Sequence, residues 1–255
     1  MPSRSTCSIF GLVISGIGMN DIVGRIADAE RREERMWIVT ANPEILLEAK
    51  RNPRYWETLR CADLRIVDGV GLQFVGWLFH SSLRRVSGVD LAEHLAGMAE
   101  RRGWKIALLG GSDGVADRAA WALRKRYPGL RVVAEQGGTV DAAGEGDRAS
   151  DEAFARLISE RPDILLVGFG HPKQEAWIAR HAESFPALKV VVGVGGTFDY
   201  WADRSHRAPR GIRMIGLEWL WRLGLEPRRF PRIIRAVILF PIRAVFDRRH
   251  TPSRL

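Results

Sequence analysis

Small and polar residues follow five short apolar runs of this sequence. Glycine lets backbone N–H groups come close to a ligand, and a helix that starts at such a point favours an anion such as a diphosphate. Each glycine segment could instead serve only to form a tight turn, but the five together favour a nucleotide or another phosphorylated ligand. The segments are Ala41-Asn42-Pro43, Asp68-Gly69, Gly110 to Gly114, Gly168 to Glu175 and Gly195 to Asp199. Their predicted substrate-binding residues are Gly110, Gly111, Lys173, Glu175, Gly195 and Gly196.

Asp68 is the candidate general base. It directly follows an apolar run and precedes Gly69, which predicts a partly desolvated carboxylate at the edge of a sheet. Asp titrates near about pH 4, and burial would raise its pKa toward that of a useful acceptor for the proton of a sugar hydroxyl. Asp is also a common N-cap, here of a helix that starts near Val70. The pattern alone leaves both roles open.

The elements that position these residues alternate between apolar runs and helix-patterned segments, which is typical of βαβ units. The predicted fold class is therefore α/β, with a Rossmann-like, largely parallel sheet flanked by helices. Because parallel strands end at one edge of such a sheet, all five segments are expected to line one crevice. The predicted strands are Ser8 to Met19, Met36 to Thr40, Leu64 to Val67, Trp104 to Leu109, Leu130 to Ala134, Ile164 to Val167 and Val190 to Val194.

Helix start signals support this alternation. Pro43 is suited to the first turn of a helix that covers Glu44 to Lys50, and Gly114 opens a segment that runs to Arg126. Asp90 precedes a third helix, Leu91 to Arg101. The Gly-rich segment from Gly137 to Ser150 is predicted to be an exposed loop.

Net charge divides the 255 residues into two parts. Residues 201–255 hold 13 of the 39 basic side chains, all of them Arg, and 4 of the 30 acidic ones, so this tail carries the whole net charge of +9. We therefore predict a catalytic domain over residues 1–202 and an Arg-rich, membrane-associating appendage over residues 203–255. Two cysteines, Cys7 and Cys61, are compatible with a reducing compartment, and the expected location is cytoplasmic.

Several function classes lack their motifs in this sequence. Neither GxGxxG at the first βα turn nor GxxxxGK[ST] is present, which disfavours dehydrogenases and P-loop NTPases. There is no DxD pair and no clustered histidine spacing, so no metal site and no obligatory metal or other cofactor is expected. No apolar run reaches the roughly 18 residues of a membrane-spanning helix.

Six ordered segments resemble the WecG/TagA/CpsF glycosyltransferases, glycosyltransferase family 26. The resemblance covers about residues 10 to 240, and Val67 and Thr139 depart from the family pattern, which usually has Pro and an aromatic residue there. The matching segments are Val39-Thr40-Ala41-Asn42-Pro43-Glu44, Asp68-Gly69-Val70-Gly71, Arg85-Val86-Ser87-Gly88-Val89-Asp90, Tyr127-Pro128-Gly129-Leu130, Pro172-Lys173-Gln174-Glu175 and Leu217-Glu218-Trp219 through Arg222 with Glu226-Pro227.

The resemblance implies an inverting transferase that moves a sugar from a UDP-sugar to a polyprenyl-diphosphate-linked acceptor at the inner face of the plasma membrane. The sugar is N-acetylmannosamine, its uronic acid or glucose, and the product is a bacterial surface polysaccharide. Asp68 is implied as the catalytic base, with Thr40, Asn42, Arg85 and Gln174 beside it, and Asp199 as a nucleotide contact. Three appendage arginines are implied to close over diphosphate groups: Arg222, Arg229 and Arg232.

The appendage contains an amphipathic basic pattern. Arg228, Arg232 and Arg235 occupy other faces of the predicted helix than its apolar stripe, and Pro241 is expected to interrupt the helix. The stripe consists of residues that recur at helical spacing: Phe230, Ile233, Ile234, Val237, Ile238 and Ile242. The apolar stripe could pack on the body of the protein, or it could bind an anionic membrane surface, to which each Arg adds about 1 kcal/mol. An exposed stripe would also promote self-association in water, so a homo-oligomer or aggregation is expected without lipid or detergent.

Two other function classes remain open at this point. One is a dinucleotide-dependent α/β oxidoreductase, against which the absent glycine fingerprint counts. The other is a non-enzymatic module that binds a membrane or nucleic acid through the basic tail. Duplex binding usually needs a broad positive surface, so the neutral body argues against nucleic acid as a partner.

Overall fold

The structure is a computed structural model that describes residues 5–203, 208–209, 211–212, 218–225 and 230–247. Arg222 and Arg232 are described by their backbone alone. Within these residues, eight strands form one sheet in the order β1-β2-β4-β3-β8-β7-β5-β6, in which only the β1–β2 pair is antiparallel. The strands are β1 Thr6–Ile9, β2 Leu12–Ser15, β3 Met36–Ala41, β4 Leu64–Val67, β5 Lys105–Gly110, β6 Arg131–Glu135, β7 Ile164–Gly168 and β8 Val190–Gly193.

Helices cover both faces of the sheet, which confirms the predicted α/β fold with a largely parallel sheet. Side chains that alternate along each strand divide the interior into two cores, as Val39 and Ile38 of β3 illustrate. The helices α2, α3, α4, α7 and α8 cover the Val39 side, and α1, α5, α6 and α9 cover the Ile38 side. Their bounds are α1 Met19–Arg31, α2 Pro43–Arg51, α3 Pro53–Arg60, α4 Val70–Leu78, α5 Gly88–Arg102, α6 Val115–Arg126, α7 Arg148–Glu160, α8 Lys173–His181 and α9 Thr197–Trp201.

The first predicted strand, Ser8 to Met19, is wrong. The chain instead forms a hairpin of β1 and β2, and α1 begins at Met19. Phe10 and Gly11 lie at the turn with φ values of 53° and 80°, the left-handed conformation that a tight two-residue hairpin needs. The Nε1–H of Trp56 donates to the Phe10 carbonyl oxygen at 2.8 Å, which stabilises the turn.

The other strands and the predicted helices agree with the sequence patterns to within a few residues. The run Leu64 to Val67 is β4 with the same bounds, and Pro43 is the first residue of α2. Helix α5 begins at Gly88, two residues before Asp90, because the Ser87 side chain is its N-cap and accepts a hydrogen bond from the Asp90 N–H at 3.1 Å. The loop between β6 and α7 is mostly exposed, as predicted.

Residues 230–245 form one continuous helical segment, here called the C-terminal helix. It consists of α-helical Phe230–Ile234, a π-helical turn Arg235–Leu239 and α-helical Phe240–Val245. The interruption expected at Pro241 takes the form of the π-helical turn just before it. A further helix, Glu218–Leu225, precedes the C-terminal helix. The division into domains at residues 202 and 203 stays a prediction.

The C-terminal helix packs on the body through one side. Phe240 and Ala244 are buried, and the Phe240 ring contacts the Phe10 ring edge-on, with centroids 6.0 Å apart. Lys50 of α2 lies with its Nζ 3.7 Å from Asp247 Oδ2 and 4.5 Å from the centroid of the Phe10 ring. Phe240 and Ala244 do not belong to the predicted apolar stripe, so packing of that stripe on the body is not confirmed. Five of its members are exposed and remain available for another contact: Phe230, Ile234, Val237, Ile238 and Ile242.

Candidate active site

The carboxyl ends of five parallel strands bring the predicted segments to one edge of the sheet. Along this edge the strands follow the order β4, β3, β8, β7, β5. Four interstrand steps of about 4.8 Å separate Asp68 after β4 from Gly110 at the end of β5, so the row is about 19 Å long. A row of this length can hold an extended ligand whose two ends meet different residues.

Asp68 is held between backbone atoms of two other elements. Its N–H donates to the Ala41 carbonyl oxygen at 2.7 Å, and its Oδ2 accepts from the Gly88 N–H at 3.2 Å. The N-cap position of α4 is Gly69, so the N-cap interpretation of Asp68 is wrong. The carboxylate meets the N-terminus of α5 instead, where the helix dipole favours a negative charge.

Thr40 lies beside this carboxylate. Its buried hydroxyl donates to the Gly193 carbonyl oxygen at 3.0 Å, which fixes the side chain between β3 and β8. A β-carbon placed on Gly88 would lie 3.5 Å from both Asp68 Oδ2 and Thr40 Oγ1. These are ordinary van der Waals distances, so they show only that the carboxylate and the hydroxyl both lie close to Gly88.

Asn42 and Arg85 flank the same point through their backbone positions. The side-chain Oδ1 of Asn42 caps α2 by accepting from the N–H groups of Glu44 and Ile45, both at 3.0 Å. Arg85 forms a parallel bridge with Val67, the residue before Asp68. Asn42 is therefore placed next to Asp68 by the turn that ends β3, and Arg85 by the segment before α5 that bridges to β4.

Gln174 and Glu175 form a buried network under the crevice. Gln174 Nε2 donates to Glu175 Oε1 at 2.7 Å, and the Tyr55 hydroxyl donates to Glu175 Oε2 at 3.0 Å. Gln174 Oε1 accepts from the Gly195 N–H at 3.0 Å, and a β-carbon on Gly193 would lie only 2.6 Å from Gln174 Nε2. Gln174 is 2% and Glu175 is 1% exposed. Glu175 orients the Gln174 amide, and Gln174 in turn fixes the turn after β8.

Burial has electrostatic consequences in this network. It raises the pKa of Glu175, while the hydrogen bonds from Gln174 and Tyr55 act in the opposite direction. The pKa of Tyr55 is raised by burial and by the nearby carboxyl group of Glu175. The sequence predicted a substrate contact for Glu175 but gave no sign of its partner Tyr55.

Gly110 and Gly111 at the end of β5, and Gly195 after β8, have conformations that other residues adopt rarely. Gly110 and Gly111 have φ values of 105° and 87°, and a β-carbon on Gly110 would lie 2.9 Å from the Gly168 carbonyl carbon. The Gly111 N–H donates to the Gly168 oxygen at 3.3 Å, which ties β5 to β7. Gly196 is the N-cap of α9, directly after Gly195.

Charged residues stand at two helix N-termini near the crevice. Lys173 is the first residue of α8, and Asp199 lies in the first turn of α9. His171, in the turn before α8, lies with its Nε2 3.7 Å from Glu44 Oε2 of α2, a pair that the sequence analysis missed. This contact brings the turns after β3 and β7 together across β8.

The side chains of the three appendage arginines implied by the family resemblance lie outside the part of the chain that the structure describes. Arg229 lies outside the described residues, and the side chains of Arg222 and Arg232 do so as well. Among the described residues, no three His, Cys, Asp or Glu side chains are grouped as a metal site would require. No helix of the described segments combines the length and hydropathy needed to cross a bilayer.

The described arrangement is that of a group-transfer enzyme. A carboxylate and a hydroxyl lie near Gly88 at one end of a long sheet edge, and the remaining turns of that edge are glycine-rich and suited to phosphate groups. The sequence matches the glycosyl transferase WecG/TagA/CpsF family over residues 7–254, and the chain belongs to this family of glycosyltransferases. The resemblance noted from the motifs is thereby confirmed.

Two relatives show how closely the chain resembles named enzymes. An N-acetylglucosaminyldiphosphoundecaprenol N-acetyl-beta-D-mannosaminyltransferase of Staphylococcus aureus (strain MRSA252) is 32% identical over 206 residues, which are 80% of this chain and 78% of that protein. The enzyme of the same name from Bacillus spizizenii is 32% identical over 199 residues, 78% of this chain and 74% of that protein. These similarities and the family match disfavour the oxidoreductase and the non-enzymatic module.

Proposed function

We propose that this enzyme transfers a sugar from a UDP-sugar to a polyprenyl-diphosphate-linked saccharide, with inversion at the anomeric carbon, in the synthesis of a bacterial surface polysaccharide. The two relatives are named for an undecaprenyl-diphosphate-linked acceptor and for N-acetylmannosamine, which supports such an acceptor here and makes N-acetylmannosamine the first sugar to test. Its uronic acid and glucose are the other candidates. The observation that carries the proposal is the Asp68 carboxylate, which lies beside Thr40 at the end of the crevice.

In the proposed mechanism, Asp68 removes the proton from the acceptor hydroxyl as that oxygen attacks the anomeric carbon. UDP leaves from the opposite face with the electron pair of the broken glycosidic bond, so one displacement inverts the centre. Thr40 and Arg85 position the reacting groups near Asp68, and the Asn42 cap and Gln174 fix the turns around them. A positioned base contributes about 10² to 10⁴ in rate.

The departing diphosphate needs positive charge. Arg222, Arg229 and Arg232 are proposed to supply it, because a guanidinium group matches the geometry of phosphate oxygens. Lys173 and the glycine turns at Gly110, Gly111, Gly195 and Gly196 are proposed to contact the donor, with Asp199 at its nucleotide. The Arg content of the tail supports a reaction without an obligatory metal, and the enzyme is proposed to act at the inner face of the plasma membrane.

A direct assay tests this proposal. The enzyme is incubated with a synthetic prenyl-diphosphate N-acetylglucosamine and, in turn, with UDP-N-acetylmannosamine, its uronic acid and UDP-glucose, and products are read by mass spectrometry. We expect one product, with UDP released in equal amount and the rate unchanged by a chelator. No product from any donor would contradict the proposed function, and a chelator-sensitive rate would contradict the metal-free mechanism alone.

A further inference from the structure

The outer side of α4 is entirely apolar. The helix, Val70–Leu78, contains no charged residue, and its one amide side chain, Gln73, donates to the Leu83 carbonyl oxygen at 3.1 Å. Phe74 is 50% and Trp77 is 69% exposed, and their rings stack with centroids 6.0 Å apart. Leu78 is exposed as well. Large exposed apolar groups on one helix indicate a contact with another surface.

This side of α4 continues onto the C-terminal helix. A β-carbon on Gly71 of α4 would lie 3.0 Å from the Ala236 carbonyl oxygen and 3.7 Å from Phe240, so the two helices touch there. Phe74 and Leu78 follow Gly71 at spacings of three and seven residues, which places them on the same side of α4. The C-terminal helix adds exposed apolar side chains at Phe230, Ile234, Val237, Ile238, Ile242 and Val245, with Phe246 directly after it.

We propose that Phe74, Trp77 and Leu78 of α4 insert into the lipid bilayer next to the C-terminal helix, so that α4 is a second membrane-contacting element. The inference deepens the proposed function, since a lipid-linked acceptor places the reaction at a bilayer. Helix α4 begins two residues after Asp68, so the same short helix would join the base to the lipid surface. Aromatic side chains are well suited to this interface.

Charge favours a bilayer over a second copy of the chain. The segment 201–255 carries 13 Arg and 4 acidic residues, and Arg235, next to Ala236, is exposed. A symmetric dimer through this surface would bring two such segments together, whereas an anionic leaflet attracts them. Binding of a bilayer should therefore strengthen with anionic lipid, whereas pairing with a second copy of the chain would be opposed by charge repulsion.

Vesicle partition of the full-length protein tests the proposal. The double variant Phe74→Ser/Trp77→Ser is compared with wild type on phosphatidylcholine vesicles with and without added phosphatidylglycerol. We expect the partition coefficient to fall at least about tenfold, equivalent to about 1.4 kcal/mol. The matched control is Trp121→Ser, which removes a 62% exposed Trp from α6 on the other face of the sheet and should change partition by less than about twofold.

Further measurements separate the alternatives. Trp77→Phe should keep most of the binding, and equal unfolding temperatures would show that the serine variants are folded. Should the double variant not fold, each single serine variant is read in the same way. Partition equal to wild type would overturn the proposal. Loss of self-association in lipid-free buffer, with vesicle partition unchanged, would assign the surface to a second copy.

Activity separates this inference from the proposed function. The double variant should retain wild-type activity on a short-chain, water-soluble prenyl-diphosphate sugar and lose it on a long-chain acceptor embedded in vesicles. If wild type is inactive on both acceptors, the proposed function fails, while vesicle partition still decides the role of α4. Equal loss on both acceptors would place Phe74 or Trp77 in the active site and overturn the membrane assignment.

Discussion

Asp68 is the residue on which the proposed chemistry depends most directly. Asp68→Asn keeps the size of the side chain and an oxygen that can accept from the Gly88 N–H, but it removes the proton acceptor. We expect kcat to fall by about 10² to 10⁴ while UDP-sugar affinity changes little. Steady-state kinetics and donor titration measure the two effects. Asp117→Asn, at an exposed position of α6, is the control, and equal activity of Asp68→Asn would remove it as the base.

Glu175 predicts a pH dependence of stability. Its pKa is raised in the folded protein, chiefly by burial. A carboxyl group of this kind contributes most stability below its unfolded pKa, about 4.3, and that contribution is lost as pH rises through the folded value. The free energy of unfolding of wild type minus that of Glu175→Gln should therefore decrease from pH 5 to pH 8. Urea unfolding of both proteins at pH 5 and pH 8 measures this difference. Equal changes in unfolding free energy for wild type and Glu175→Gln would contradict a raised pKa of Glu175.

Individual residues were predictable where one local rule places them. Asp68 follows β4, and the carboxyl ends of parallel strands share an edge, so the sequence suffices to place it there. The partnership of Tyr55 with Glu175 joins residues 120 positions apart, and no local pattern records it. The contact of the Gly88 N–H with the Asp68 carboxylate was missed for a related reason, because it joins residues 20 positions apart.

At the scale of elements, Gly71 sets how closely α4 and the C-terminal helix approach. A β-carbon there would lie 2.9 Å from Pro43 Cγ and 3.0 Å from the Ala236 oxygen, so Gly71→Ala should separate the helices and lower the unfolding free energy by about 1–3 kcal/mol. Gly24→Ala in α1 is the matched control. No other atom lies within 4 Å of its added β-carbon, so it should stabilise by about 0.5–1 kcal/mol. Denaturant unfolding compares them, and equal effects would contradict this packing.

Most elements followed from hydrophobic periodicity, because buried strands and amphipathic helices repeat with different periods. The hairpin of β1 and β2 could not be predicted in this way, because its two strands form one apolar run in the sequence. Gly11 was the available signal, but the turn also needs Phe10 at positive φ, which sequence rules do not favour. Pro241 predicted an interruption of the C-terminal helix, but its form, a π-helical turn over Arg235–Leu239, does not follow from the sequence pattern.

At the scale of the whole molecule, the charge asymmetry predicts salt-sensitive membrane binding. The segment 201–255 carries the full +9, and each Arg near an anionic leaflet adds about 1 kcal/mol that salt screens. Partition onto phosphatidylglycerol vesicles should fall steeply as salt rises, and partition onto pure phosphatidylcholine should change little. Co-sedimentation over a salt series measures both. Identical salt dependence for the two lipids would contradict an electrostatic contribution.

Phe10 joins elements made early and late in the chain. The Phe240 ring packs edge-on against the Phe10 ring, and the Lys50 ammonium group lies over the same ring. The Phe10 carbonyl oxygen accepts a hydrogen bond from Trp56 Nε1–H. Domains tend to form from the N-terminal side during translation, so the hairpin and α2 can be in place before residue 240 leaves the ribosome. The C-terminal helix, with its exposed apolar side chains, is therefore synthesised after its docking surface, which shortens the time that all of its apolar sides face water.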